Sequence, residues 1–304
     1  MPFGTVTKTV KGTLGAQSEL TVGAYTFRYN HPHHILGIIE TAILDVYRCR
    51  RIRAGSTVLD IGAGIGDFTV MASRACGVSG TVVAIEPDTE DFGCLVTNLE
   101  LNHCKNVIPI NAAVSDFGKI LALSFKGRTT FARSRRLRDL LRGAGIQPQS
   151  VSFAKIDIEG GERVVVPDNL DILSHCDRVA IELHDGAEQV PHPFMRRAGF
   201  IFQRVRRRDI LLAALAFSFR HPFQARQAYY VAKSARILPG PLKVTRGIEI
   251  VRSSNLVVGT YVRPKGIRWA ASSPLVPAAG EVQVTLSLLK VPFHRGAEPC
   301  GFRL

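Results

Sequence analysis

One stretch of the chain, from Val58 to Asp88, constrains the fold more than any other. It begins with an apolar run, breaks at the glycine-rich segment Gly62 to Gly66, continues as a helix-like segment from Asp67 to Cys76, and ends in a second β-rich run closed by Glu86. Strand, glycine turn, helix, strand and acid, in this order, form one βαβ unit of an open parallel sheet. The sequence therefore predicts an α/β fold with a doubly wound, mostly parallel seven-stranded sheet.

The glycine turn and its flanking acids indicate the kind of ligand that this unit binds. Glycine lets the backbone approach a ligand closely, and the helix that follows presents free N–H groups. In the NAD fingerprint G-x-G-x-x-G the third glycine would fall at position 67, which is Asp67 here. Asp60 and Asp67 would repel a pyrophosphate, but they suit a ligand that carries an ammonium and a sulfonium group.

The pattern Asp60-x-Gly62-x-Gly64-x-Gly66, followed by Glu86, resembles the first two motifs of class I S-adenosylmethionine (SAM) methyltransferases. The resemblance implies SAM (S-adenosyl-L-methionine) as the cofactor, with Gly62, Gly64 and Gly66 in the turn that binds it. It also implies that Asp60 lies near the methionine end and that Glu86 binds the ribose. A glycine turn that serves packing alone, or an NAD site, is the alternative.

The next strand, Val107 to Asn111, leads into a loop that ends at Asp116. The superfamily resemblance implies that this loop covers the adenine, which makes Ala113 and Asp116 candidate cofactor contacts. For Asp116, a role as a turn residue ahead of Gly118 is an equal alternative.

Patterns elsewhere predict further helices and strands. They are a strand over Tyr25–Tyr29, a helix capped by Asn30 and running to Val46, a helix capped by Thr89 and reaching Asn102, a hairpin arm over Lys119–Phe125, a basic helix over Arg133–Gly145, and strands over Arg178–Leu183, 199–203 and 255–262. His31, His33 and His34 have no Cys or acid beside them, so a helix entry near the cofactor is favoured over a metal site.

A second informative stretch joins an apolar strand to a run of acids around two glycines. Asp157 and Glu159 follow this strand directly, and the next strand brings Glu182 and His184 to the same edge of the sheet. Open α/β folds bind their ligands at this edge, and carboxylates so dense are costly to desolvate without partners. We expect these four residues to surround the methyl group that is transferred. Glu162 is interpreted as an ordinary acid in the first turn of a helix.

The segments Asp60–Thr69 and Lys155–Glu162 together resemble the FkbM family of SAM-dependent methyltransferases. The family carries "DIGANIG" and "K-I/V-D-V/I-E-G-A/G-E" in these places, and the likeness extends from Thr57 to Val205. One departure is Ala63-Gly64 in place of the common Ala-Asn. The resemblance implies O-methylation of a hydroxyl, often on a sugar or a polyketide-like scaffold, and it fixes neither the acceptor nor the catalytic base.

Two catalytic arrangements fit these residues. In the first, His184 or Asp157 is the general base, and the remaining acids bind hydroxyl groups of the substrate. In the second, Asp157, Glu159 and Glu182 hold a divalent metal such as Mg²⁺, together with His184 or without it. The first is favoured because the ligand set of the second is incomplete, so no metal site is predicted.

The charge of the chain is divided unevenly. The net charge is +14, and residues 196–304 hold 19 Lys and Arg against 4 Asp and Glu, while residues 1–195 hold 20 against 21. This asymmetry indicates an anionic partner, such as a phosphate-bearing acceptor or a membrane surface, unless it is only a solvated basic surface.

The domain organisation follows from the motifs and this charge. We expect an N-terminal extension over 1–55, a SAM-binding core over 56–205, a basic helical insertion over 206–254, the last core strand over 255–262 and a tail over 263–304. The insertion is interpreted as a lid or acceptor element, with an oligomer contact or a surface-lying membrane element as alternatives.

Two other function classes stay open. An RNA methyltransferase would use the basic third of the chain, but the Asn/Asp-Pro-Pro-Tyr/Phe signature of base-amino methylation is missing after the fourth strand, and the acids would repel a phosphate backbone. A non-catalytic SAM-binding protein is the other class. Six scattered cysteines without a C-x-x-C pair, and the lack of a signal sequence or a long apolar run, predict a cytoplasmic protein, with peripheral membrane contact open.

Overall fold

The computed structural model describes residues 10–12, 15–115, 118, 120–125, 128–184, 191–221 and 257–263. The strands in these ranges are β1 (Val10–Gly12), β2 (Gly15–Val22), β3 (Tyr25–Tyr29), β4 (Thr57–Ile61), β5 (Thr81–Ile85), β6 (Val107–Ile110), β7 (Ala113–Val114), β8 (Ile120–Phe125), β9 (Arg128–Arg135), β10 (Val151–Ile156), β11 (Arg178–Leu183), β12 (Ile201–Arg204) and β13 (Val257–Val262). The α-helices are α1 (His34–Ile38), α2 (Asp67–Cys76), α3 (Thr89–Leu101), α4 (Leu137–Gly143), α5 (Glu162–Asp168), α6 (Leu170–Leu173), α7 (Pro191–Arg197) and α8 (Arg207–Arg220).

Seven strands form the central sheet, in the order β12-β13-β11-β10-β4-β5-β6. Neighbouring strands are parallel except at β13, which is antiparallel to both β11 and β12. The predicted doubly wound, mostly parallel sheet of seven strands is therefore confirmed. The strand order reverses between β4 and β10, and in open α/β sheets ligands bind beyond the carboxyl ends of the strands at such a point.

The central strands are covered on both faces, as parallel strands usually are. In β4, Leu59 and Ile61 pack into a cluster that contains residues of α4, α5 and α7, whereas Val58 packs with Phe68 of α2. Because side chains alternate along a strand, Asp60 lies on the same face as Val58, toward α2. This placement decides what Asp60 can contact.

Two smaller sheets flank the central one. Strands β1, β2 and β3 form an antiparallel sheet, while β8 and β9 form an antiparallel hairpin whose second strand also pairs with β7. The predicted hairpin arm after β6 is therefore confirmed. The predicted basic helix begins later than expected, because Arg133 to Arg135 belong to β9 and α4 begins at Leu137.

Two predicted helix starts are wrong. Asp88, not Thr89, caps α3, because its carboxylate accepts hydrogen bonds from the N–H groups of Glu90 and Asp91. Asn30 does not cap a helix that continues to Val46. Its amide donates to the Asp91 carboxylate (2.9 Å) instead, and the helix consists of α1 followed by a π-helical turn over Ile39–Ile43.

Candidate active site

The glycine turn after β4 lies against the acid-rich segment after β10. Gly62 has a φ of +77°, and a Cβ atom there would lie 1.8 Å from the carbonyl oxygen of Asp157. The N–H groups of Gly62 and Ala63 both donate to the carbonyl of Ile85 at the end of β5. Glycine is required at position 62 because the two backbones touch there.

Glu86 closes the other side of this turn. Its carboxylate accepts hydrogen bonds from the N–H of Gly64 (2.6 Å) and from the N–H of Asp88 (2.7 Å). The residue is only 6% exposed, and this burial raises the pKa of Glu86 to about 8 in spite of the two donors. Glu86 therefore lies where the sequence predicted, at the end of β5 beside the turn.

The remaining glycines of the turn differ in what surrounds them. No heavy atom lies within 4 Å of the position that a Cβ on Gly64 would occupy, so the backbone there borders open space. Gly66 has a φ of +85°, and a Cβ on it would lie 2.4 Å from the side chain of Leu95 in α3. Gly64 is therefore suited to approach by a ligand, and Gly66 to the close packing of α3 on the start of α2.

The carboxylate of Asp60 contacts other side chains in the protein interior. It is fully buried, its Oδ2 atom accepts a hydrogen bond from the Thr69 hydroxyl (2.6 Å), and its Oδ1 atom lies 3.3 Å from Nζ of Lys155. Burial raises the pKa of Asp60, although Lys155 and Thr69 oppose that shift. Its expected role near the methionine end of the cofactor stays a prediction, and in this structure Asp60 contacts the cofactor turn through Lys155.

The four residues that the sequence predicts around the transferred methyl group form one cluster, the acid cluster, in which Asp157, Glu159 and Glu182 surround the imidazole of His184. The Nε2 atom of His184 lies 3.2 Å from Glu159, 3.7 Å from Glu182 and 3.9 Å from Asp157, measured to the nearest carboxylate oxygen. Asp157 and Glu159 follow β10, while Glu182 is the penultimate residue of β11 and His184 directly follows that strand. The sheet therefore assembles this cluster, since neighbouring parallel strands end at the same edge.

Glu162 takes part in the cluster, which the sequence did not predict. It is the first residue of α5, as expected, but its side chain is fully buried and its Oε1 atom lies 3.1 Å from Nδ1 of His184. Burial alone would lower the pKa of His184, but the hydrogen bond to Glu162 and the charges of Glu159 and Asp157 outweigh it and raise that pKa to about 9. His184 is therefore protonated at neutral pH.

Tyr47 is a second contributor that the sequence did not predict. Its buried hydroxyl lies 3.0 Å from Oδ2 of Asp157 and also contacts Oε2 of Glu182. A phenol has one proton to donate, so it can donate to only one of these two carboxylates at a time. Burial and the charge of Asp157 raise the pKa of Glu182 well above its usual range.

The other predicted contacts are placed as follows. Ala113 lies in β7, is buried, and pairs with Ser134 of β9, so its contact with adenine stays a prediction. Asp116 lies outside the described residues. His34 pairs with Asp91 (3.4 Å), and its ring lies beside those of His31 and His33 at centroid distances of 6.0 and 4.2 Å.

The donor set fits SAM rather than a dinucleotide. Glu86 lies beside the turn as an acceptor for a diol, Gly64 borders open space, and Asp67 places a carboxylate in the first turn of α2. The ammonium of Lys155, which contacts the turn at the Gly62 carbonyl, is already paired with Asp60. Carboxylates in these positions favour an ammonium and a sulfonium and oppose a pyrophosphate.

One group in the described residues has the spacing of a metal site. Asp157, Glu182 and His184 each offer one ligand atom, and these atoms lie within 4.8 Å of one another. The imidazole could bind a metal only after losing its Nε2 proton, because metal-bound histidine is neutral.

Residues 60–209 match the family model described as the methyltransferase FkbM domain. These residues are a methyltransferase FkbM domain. The domain over residues 60–209 is accordingly of the SAM-dependent methyltransferase type, and its cofactor is SAM. The family predicted from the two motifs of the sequence is confirmed, and the match begins at Asp60, in the strand that leads into the glycine turn.

Curated proteins and solved structures supply weaker likenesses. The tRNA (adenine(58)-N(1))-methyltransferase catalytic subunit TRM61 of Yarrowia lipolytica (strain CLIB 122 / E 150) is 32% identical over 87 residues, which are 29% of this chain and 22% of that protein. The match thus spans about a fifth of that relative's length.

Two solved methyltransferase-type structures illustrate the structural comparison. M. jannaschii TYW2 in complex with AdoMet has a TM-score of 0.40 at 16% identity, over 68% of this chain and 81% of that one. Precorrin-6y C5,15-methyltransferase from Geobacter metallireducens GS-15 has a TM-score of 0.37 at 16% identity, over 55% and 72%. With scores this low, the fold is established by the strand order of this chain itself.

In the part of the chain that the structure describes, no helix has both the length and the apolar character needed to cross a membrane. Five cysteines there are free, four of them buried and Cys104 partly so.

Proposed function

We propose that this FkbM domain is an O-methyltransferase whose acceptor is a hydroxyl of a sugar, a glycan or a lipid-linked small molecule. The observation that carries the proposal is the position of Asp157, whose backbone touches the glycine turn and whose side chain lies among the acids at the same edge. SAM, when bound, supplies a methyl group on a sulfonium sulfur, which leaves readily as a neutral thioether. A hydroxyl acceptor must lose its proton as it is methylated, so a base is needed beside the turn.

Asp157 is the base in this proposal. Lys155 and Tyr47 hold its Oδ2 atom, while Oδ1 is directed toward His184, and the side chain is 24% exposed. Glu182 is less suited because its side chain is only 12% exposed and already accepts from the Tyr47 hydroxyl, and burial and the charge of Asp157 raise its pKa well above the usual range. His184 is unsuited in the resting protein because its pKa is about 9. Removal of a well-placed base typically costs a factor of about 10²–10⁴ in rate.

His184 and Glu159 then bind the acceptor. The imidazolium of His184 is held by Glu162 through Nδ1 and can donate from Nε2 to an acceptor oxygen. Glu159 is 44% exposed, so it can accept a hydrogen bond from a neighbouring hydroxyl of a sugar-like substrate. Its φ of +53° is costly for a residue with a side chain, and such strain is concentrated at functional positions.

The hairpin after β6 supports an acceptor that also carries negative charge. On β9, Phe131 (70% exposed), Arg133 and Arg135 are exposed, whereas the intervening Ala132 and Ser134 are buried. Alternate residues of a strand share a face, so one aromatic ring and two guanidinium groups lie in a row. Such a row suits a phosphate group on the acceptor.

Helix α8 supports a lid or an acceptor-contacting role for the start of the basic insertion. Asp209 pairs with Arg48 (2.9 Å), while Leu212, Leu215 and Phe219 are exposed. Residues 222–256 lie outside the described part of the chain.

The test is transfer of labelled methyl from SAM to fractionated cell glycans, lipid-linked saccharides and RNA. We expect label in a glycan or lipid-linked fraction, recovered as a methyl ether after hydrolysis. Asp157→Asn should reduce transfer by about 100-fold or more while still binding SAM. The matched control is Asp177→Asn, an exposed acid that pairs with Arg53. Label in RNA alone would replace the proposal with an RNA methyltransferase, and SAM binding without transfer to any fraction would favour a binding protein.

A further inference from the structure

Lys155 occupies a position between the glycine turn and the acid cluster that neither motif explains. Its side chain is 4% exposed, and its Nζ atom donates to the carbonyl of Gly62 (2.5 Å). The same atom lies 3.3 Å from Asp60 and 3.4 Å from Asp157. One buried ammonium therefore contacts the first residue of the cofactor turn and the proposed base.

Charge neutralisation alone does not account for this arrangement. Lys155 and Asp60 face each other across the parallel pair β10 and β4, so an ion pair between them could have ended there. The ammonium instead also reaches past the strand ends to the Gly62 carbonyl and the Asp157 carboxylate, 5.4 Å from the ring centre of Tyr47. Both additional partners belong to segments that face the site.

We propose that Lys155 is a positioning residue of the methyl transfer: its ammonium links the Gly62 carbonyl to the Asp157 carboxylate and so fixes the distance between the cofactor turn and the base. In-line transfer depends on such alignment, and a misplacement of about 1 Å can cost a factor of about 100 in rate. The pKa of Lys155 supports this role. Burial acts to lower it, but Asp60 and Asp157 outweigh burial and raise it, so the residue stays charged.

The inference rests on the proposed function, and its first readout needs no turnover. Hydrogen exchange is measured by mass spectrometry in wild type and in Lys155→Met, whose side chain has a similar length and no charge. Exchange should increase about tenfold or more in peptides covering 61–67 and 156–162, and much less in β5. A purely structural role would increase exchange throughout the central sheet, and unchanged exchange in both segments would overturn the inference.

Catalysis provides the second readout. Lys155→Met should reduce kcat per SAM-binding site, counted by calorimetric stoichiometry, by at least about tenfold, with a smaller change in the Kd of SAM. The acceptor is the fraction that takes label from wild type. Lys105→Met, at an exposed lysine, is the control for the substitution itself. If wild type transfers label and Lys155→Met has the same kcat per SAM-binding site, the role of Lys155 is overturned while the proposed function stands. If wild type labels no hydroxyl acceptor, the proposed function itself is overturned.

A second variant separates positioning from folding. Lys155→Met leaves Asp60 buried without its cation, which can lower the melting temperature by about 10 °C. The double variant Asp60→Asn with Lys155→Met removes both charges, so we expect most of the melting temperature to return. Local exchange around 61–67 and 156–162 should stay fast in the double variant. Recovery of slow exchange together with thermal stability would overturn the inference.

Discussion

The Oε1 atom of Glu162 lies 3.1 Å from the Nδ1 atom of His184, and Glu162 is fully buried. The hydrogen bond makes Nδ1 a donor and directs Nε2 toward Asp157, Glu159 and Glu182. The imidazole of this site is thus oriented from behind by a carboxylate that the solvent does not reach.

Replacing that carboxylate should change the titration of the imidazole. In Glu162→Gln the hydrogen-bond acceptor remains but the charge is lost, so the pKa of His184 should fall from about 9 toward its usual value of 6.5. NMR titration of the ring nitrogens measures this shift. Glu159→Gln is the control. Because Glu159 is 44% exposed, this substitution should lower the pKa of His184 less than Glu162→Gln does. Equal shifts in both variants would contradict the role assigned to Glu162.

The raised pKa of His184 also predicts how stability depends on pH. The folded protein binds this proton more tightly than the unfolded chain, so the contribution is complete below about pH 6.5 and is lost as pH rises through about 9. It amounts to at most about 3 kcal/mol. Urea unfolding at pH 6 and pH 9.5 should therefore show a smaller loss of stability for His184→Gln than for wild type. An identical loss in both proteins would show that His184 is not the group responsible.

Glu86 should make SAM binding pH-dependent. Its pKa of about 8 means that it holds a proton at pH 7, whereas a ribose diol donates best to the ionised form. Affinity should rise up to about tenfold per pH unit from pH 6 to about 8 and then level off. Calorimetry across this range measures the effect, with Glu86→Gln as the variant that should lose it. A flat profile in wild type would exclude Glu86 as the titrating contact.

Gly62 should tolerate no side chain. Alanine there would combine a φ of +77° with a Cβ atom 1.8 Å from the Asp157 carbonyl, so Gly62→Ala should cost about 3 kcal/mol or more of stability. Gly143→Ala is the matched control, because nothing lies within 4 Å of its Cβ position at the end of α4. Thermal unfolding of the two variants compares them. A melting temperature for Gly62→Ala equal to that of Gly143→Ala would be incompatible with the close approach of turn and acid segment.

Chelation should leave methyl transfer intact. Asp157, Glu182 and His184 have the spacing for a divalent cation, but Nε2 of His184 carries a proton at neutral pH. We therefore expect turnover in EDTA within about twofold of turnover in Mg²⁺. Loss of activity in EDTA and its recovery with Mg²⁺ would instead support the metal-assisted arrangement.

The parts of the site that depend only on the pairing of neighbouring strands could be predicted from the sequence. The glycine turn, Glu86 and the two acid-bearing strand ends follow from one βαβ pattern and the rule that parallel strands end at the same edge, so Asp157 and His184 could be placed together. Tyr47 could not be found this way. It lies 110 residues from Asp157, and its position depends on how the segment after the π-helical turn packs against α2.

Other departures arise from contacts that compete with local patterns. No role could be assigned to Lys155 from the second motif. Only the pairing of β10 with β4 shows that its ammonium contacts Asp60 and the Gly62 carbonyl. Arg133 and Arg135 precede a leucine-rich helix and so appeared helical, but pairing with β8 and β7 extends that segment as a strand. Tertiary pairing overrides helix propensity in such cases.

Calorimetric titration of the purified protein with SAM and, separately, with NAD shows directly which ligand the glycine turn binds. We expect SAM to bind wild type and Asp157→Asn with similar affinity and to bind Glu86→Ala at least about tenfold more weakly, and we expect NAD to give no heat of binding. Binding of NAD without binding of SAM would contradict the claim that the turn from Gly62 to Gly66, with Glu86 beside it, holds the methyl donor.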